Sequence, residues 1–190
     1  MTDIIEKIPL KGDKTLIIVP DDNPFNPRED FSNVGIMAFF HRRYTLGDKT
    51  DIDPGNFSSW QEIKDHIIND KKAVIIYPVY MIDHSGLSIR VRNFSDIDPG
   101  NWDSGQIGFI YTTKDQIRKE YSKKRITKKI IENIKEILLS EVRIYDQYLQ
   151  GESYGYMVRD RHDDIIDSCY GFYEIEDIKA EFNDQILQEC

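Results

Sequence analysis

Residues 127–150, TKKIIENIKEILLSEVRIYDQYLQ, decide the fold. Ile130, Ile131, Ile134, Ile137, Leu138, Val142, Tyr145 and Leu149 recur there at spacings of three and four. That spacing predicts one long amphipathic helix with a single apolar stripe. Gly151 follows as the expected C′ residue, since glycine enters the left-handed region that closes a helix without a Cβ penalty. A helix with one apolar stripe must bury it against another layer, and the flanking sequence supplies strands for that layer.

Downstream, residues 153–158 and 165–173 read as two strands joined through Arg159-Asp160-Arg161-His162-Asp163-Asp164, a hairpin. A last amphipathic helix is expected over 176–187. Upstream, QIGFIYT (106–112) is strand-like, and Thr113 caps a short helix with Gln116 at the capping-box position. AVIIYPVYMI (73–82) is the strongest strand, with Pro78 marking an edge or a bulge because it has no N–H for a ladder. Residues 87–91 alternate as a half-buried strand, 16–19 form a short strand ended by Pro20, and 33–40 fit a strand or a short helix. Ser58 with Gln61, or Ser59 with Glu62, opens a helix that carries Trp60, Ile63, Ile67 and Ile68 on one face and ends near Asn69. The expectation is one α+β domain over 1–190. A mainly antiparallel sheet carries the long helix of about 127–150, with shorter helices packed on it.

A chain of 190 residues that is 39% hydrophobic buries a core without covalent staples. Its two cysteines, Cys169 and Cys190, are read as free thiols in a reducing compartment. The first residues carry acids where a secretory leader needs bases, and no apolar run approaches the ~18 residues of a membrane helix. These features predict a cytoplasmic protein without a membrane partner. The net charge of −9 is unevenly spread: −5 over residues 1–110, +4 over 111–150 and −8 over 151–190. The acidic end attracts basic protein surfaces. Direct nucleic-acid binding is not expected of such a chain, although Lys114, Arg118, Lys119, Lys123, Lys124, Arg125, Lys128 and Lys129 form a basic run.

Two polar groups can carry chemistry. Asp83-His84-Ser85-Gly86 and Asp103-Ser104-Gly105-Gln106 both adjoin predicted strand ends, where loops present side chains from a rigid frame. Asp83, His84 and Asp103 suit a divalent metal, and also suit plain turn capping. His41 and Arg43, beside Arg42 and Tyr44, suit a phosphate or carboxylate clamp; ion pairs to Glu29, Asp30 or Asp48 are the competing use. The copies DIDPGN at 51–56 and 96–101 are strong turn sequences and lack the spacing of a calcium loop. The chain has no Walker loop, GxGxxG, HExxH, CxxC or GxSxG. The enzyme classes those motifs define are therefore unsupported, and no cofactor is expected.

Several stretches together resemble a family of accessory proteins from phage and mobile-element genomes. They are Asn26-Pro27-Arg28, His41-Arg42-Arg43-Tyr44, Leu46-Gly47-Asp48, Asp83-His84-Ser85-Gly86, Trp102-Asp103-Ser104-Gly105-Gln106, Tyr145-Asp146-Gln147-Tyr148-Leu149 and Asp167-Ser168-Cys169-Tyr170-Gly171-Phe172-Tyr173. The resemblance carries no assigned activity and brings no catalytic residues. It implies a protein at work inside a bacterial host, of the kind that inhibits a restriction or CRISPR-type defence effector. The surface expected to meet that partner is Asp160, Asp163, Asp164, Asp167, Glu174, Glu176 and Asp177. The rival expectation is a metal-dependent hydrolase or phosphate-ligand binder built on His41, Arg43, Asp83, His84 and Asp103.

Overall fold

In the computed structural model, which describes residues 3–123 and 125–187, the regular elements follow in this order. They are β1 (Glu6–Leu10), β2 (Lys14–Pro20), β3 (Ile36–Phe39), α1 (Trp60–Asn69), β4 (Ala73–Asp83), β5 (Leu87–Arg90), β6 (Ser104–Thr113), α2 (Lys114–Tyr121), α3 (Lys128–Gln150), β7 (Tyr154–Arg159), β8 (Ile165–Phe172) and α4 (Ile175–Glu181). The class is α+β, and every strand pairing among the described residues is antiparallel. Lys124 of the basic run and Cys190 lie outside the described residues. Where one sheet was expected, the strands divide into two, ordered β1-β2-β7-β8 and β3-β6-β4-β5. The chain divides with them, into one unit of residues 1–26 and 151–190 and another of 27–150.

In the 27–150 unit, helices cover both faces of the sheet. Strand side chains alternate between faces. Met37, Ile75, Val79, Met81, Ile89 and Ile110 therefore meet the α3 stripe of Ile130, Ile134, Leu138, Val142 and Tyr145. Ala38, Phe109 and Tyr111 meet Ile63 and Ile67 of α1 on the other side. Burial on both faces is why β6 reads as a continuous apolar run. The caps of α1 and α2 form as the sequence predicts, and α3 has one that was not anticipated. Ser59 accepts from Glu62 N, Thr113 and Gln116 close a capping box, and Thr127 Oγ1 accepts from Ile130 N. Pro78 sits in a strand with neighbours on both sides, but β5 pairs only with Tyr80–Asp83, so the outer side is open at the proline. A register shift between Val79 and Tyr80 supplies the expected irregularity.

In the other unit, Ile178 of α4 and Phe182 at its C-cap pack on Leu16, Ile18, Tyr156 and Val158. Two features differ from the sequence reading. Strand β1 was not anticipated, because Pro9 and two charges mask an alternation in which only Ile8 and Leu10 are buried. The last helix ends at Glu181 rather than running to 187, because the chain turns after Phe182 and Ile186 bridges back to Leu10.

Candidate functional site

A polar cleft of about 320 Å³ opens at one end of the β3-β6-β4-β5 sheet. Its walls come from the loop after β3 (His41, Arg43), the end of β4 (Met81, Asp83), the loop before β6 (Trp102, Asp103) and the start of β6 (Ser104 to Ile107). Antiparallel pairing of β4 with β6 makes this convergence, since it sets Met81 against Gly105 and Ile82 against Ser104. One bond past the ladder, Asp83 N donates to Asp103 O at 2.9 Å.

Each of the two cleft carboxylates meets a basic side chain. Arg43 donates through Nη2 to Asp83 Oδ2 at 2.6 Å, and the Tyr44 hydroxyl donates to the same oxygen at 3.1 Å. His84 Nδ1 meets Asp103 Oδ2 at 2.9 Å. The His41 ring stacks on Tyr44 with centroids 5.1 Å apart, and the Arg43 guanidinium lies 5.5 Å from the centre of the same ring. Of the five residues singled out by sequence, His41, Arg43, Asp83 and Asp103 line the cleft, and His84 joins through Asp103. Asp48 does not take Arg42 or Arg43 as an ion-pair partner. It binds Arg28 at 2.5 Å, and Arg43 goes to Asp83.

The loop carrying Trp102 and Asp103 is organised by Asp98, in the second DIDPGN copy. Asp98 Oδ1 accepts from Trp102 N at 3.1 Å, and Oδ2 accepts from Asp103 N at 3.1 Å and from the Ser104 hydroxyl at 2.7 Å. The Ser104 hydroxyl, then the backbone N–H groups, hold the Asp98 carboxyl below its ordinary pKa. In the first copy Asp53 caps a short 3-10 turn through Gly55 N instead. Both copies are turn chemistry. Trp102 is 89% exposed. A Cβ on Gly100 would stand 2.1 Å from its Nε1, so the glycine lets the indole lie against the loop backbone. Sequence reading placed Trp102 inside a motif but gave it no role. Exposure of a large aromatic is set by tertiary packing and has no local sequence signal.

Among the described residues, no group of three or more His, Cys, Asp and Glu side chains is placed to hold a metal ion. Asp83 and Asp103 are committed to separate cationic or hydrogen-bonding partners.

The acidic residues of the C-terminal third form a looser set. Asp160 Oδ1 accepts from His162 N and Asp164 N and so builds the β7–β8 turn. Asp163, with a φ of 68°, pairs with Arg159 at 2.7 Å. Asp167 lies on β8, and the Tyr156 hydroxyl donates to its Oδ2 at 3.4 Å. Glu174 is the N-cap residue of α4, with Glu176 and Asp177 in its first turn. Five of the seven, Asp163, Asp164, Asp167, Glu176 and Asp177, are exposed. No described helix is long and apolar enough to cross a membrane. Compared with protein-family models, curated proteins and solved structures, the chain finds no match in any of the three.

Proposed function

We propose that the chain is a binding protein whose cleft takes a small phosphate-bearing ligand with a flat ring, of the nucleotide class. The observation that carries this reading is the convergence of Arg43 and His41, from the loop after β3, and an exposed Trp102, from the loop before β6, on one cleft. Arg43 meets Asp83 through Nη2, and a guanidinium presents five donors in a fork that matches phosphate oxygens. Trp102 offers a ring to stack on, worth about 1–3 kcal/mol per base in single-strand binders. A volume of 320 Å³ lies at the low end of small-ligand sites. The test titrates nucleoside monophosphates, ribose 5-phosphate and inorganic phosphate while following tryptophan fluorescence and calorimetry. Nucleotides bind most tightly. Arg43→Ala and Trp102→Ala each weaken binding about ten-fold, roughly 1.4 kcal/mol. Absence of binding at millimolar nucleotide overturns the reading.

A second reading keeps the expected partner. The chain is a phage-type accessory protein, acting in the bacterial cytoplasm, that occupies a basic groove of a host defence effector through its acidic C-terminal third. The exposure of Asp163, Asp164, Asp167, Glu176 and Asp177 supports it, together with the net −8 of residues 151–190. Reversing Asp160, Asp164, Asp167 and Asp177 to lysine abolishes capture of a basic effector in a binding assay with purified effectors. Unchanged affinity removes this reading.

A further inference from the structure

The β1-β2-β7-β8 sheet has one closed edge and one open edge. At β1, Pro9 has no N–H to donate. The C-terminal segment also covers that strand: Lys11 N donates to Gln185 O at 2.8 Å, and Leu187 N donates to Pro9 O at 3.2 Å. At β8 the cover stops at the last residues, where Asp21 Oδ2 accepts from Gly171 N at 3.1 Å. Every residue from Ile165 to Tyr170 is exposed, and among the described residues no strand lies beyond β8. This stretch has no proline and one charge, Asp167, and it leaves Ile165, Ile166 and Tyr170 each about half exposed. Between register shifts at Ile166 and Gly171, residues 167–170 run in regular register.

Soluble sheets blunt such edges with proline, lysine, bulges or cover, because unpaired N–H and C=O groups recruit another strand. Proline and cover are both present at β1. Along 165–170, proline and lysine are absent, and no described strand covers the edge. We propose that the β8 edge accepts an extended, lysine- or arginine-bearing segment of a partner protein as an added strand. This deepens, and rests on, the acidic-partner reading above. Main-chain hydrogen bonds supply affinity, and alternate side chains supply choice. Charge selects the occupant. Asp160, Asp164 and Asp167 stand on the hairpin that carries the edge. A second copy brings the same carboxylates against them, and like charges across a strand pair oppose pairing. A basic segment brings their complements.

The test uses the full chain and a fluorescein-labelled Lys-Val-Lys-Val-Lys-Val-Lys peptide, followed by anisotropy. Alongside it run the same peptide with every backbone amide N-methylated and a Glu-Val analogue. The unmodified basic peptide binds, and methylation weakens it about ten-fold or more. The acidic analogue does not bind, and amides 165–170 exchange more slowly in the complex. D160K/D164K/D167K, with an unchanged circular dichroism spectrum, loses binding. Equal binding of the methylated and unmodified peptides overturns the edge proposal and leaves the acidic-surface reading standing. Absence of binding by either basic peptide removes both. A peptide-free dimer with slowed exchange at 165–170 assigns the edge to a second copy and overturns the proposal.

Discussion

The Arg28 side chain is 2% exposed and faces two carboxylates, Asp48 at 2.5 Å and Glu141 at 2.9 Å, and Nη2 also donates to Gly35 O. The two acids are anchored in turn. Asp48 accepts from Met37 N, and Glu141 accepts from Val34 N and Gly35 N. A Cβ at Gly35 would lie within 3 Å of Leu138, Glu141 and Ile110 side-chain atoms, so the triad sits against a backbone that has no room to retreat. Removing one member of a buried ion group strands the others without a partner in low dielectric. Arg28→Ala therefore costs about 3–5 kcal/mol in urea unfolding, whereas the triple change Arg28→Met, Asp48→Asn, Glu141→Gln recovers most of that loss. A cost under about 1 kcal/mol for Arg28→Ala contradicts the assignment. Nothing in the local sequence announced this group. Arg28 and Glu141 are 113 positions apart, and only the docking of Glu141 of α3 on the Val34–Gly35 backbone before β3 brings them together.

At the scale of elements, β7 carries a pH-sensitive contact. Tyr156 is buried against Phe182 and Phe172. Burial first, then the nearby Asp167 carboxylate, push its phenol up to about 12. The folded state therefore holds this proton more tightly than the unfolded chain, whose tyrosine titrates near 10. The resulting stability is complete below pH 10 and falls away as pH rises toward 12. Tyr156→Phe flattens that decline in chemical denaturation between pH 9 and pH 12, and an unchanged slope refutes the coupling. Helices α1 and α2 start where their caps predict, because N-capping is a local interaction between residues three apart. The end of α4 was not legible in this way. Its apolar periodicity continues to Leu187, but a bridge between Ile186 and β1 takes over after Phe182.

Across the whole molecule, charge separates the two functional readings. Acids dominate residues 151–190, with a net charge of −8, and carboxylate attraction for a basic partner falls with added salt within a Debye length of about 8 Å at 0.15 M. Capture through the acidic third therefore weakens steeply with ionic strength. Nucleotide binding in the cleft weakens less, because stacking on Trp102 is not an ionic contact. The α+β class, the long helix, the caps of α1 and α2 and the polar residues worth watching were legible in the chain alone, since these follow from periodicity and short-range hydrogen bonding. Only the tertiary structure decided that the strands form two sheets, that Asp83 and Asp103 are paired with Arg43 and His84, and that Trp102 is bare beside them. Pairing of β4 with β6 is a choice among distant strands, and no local pattern encodes which end of which strand will meet.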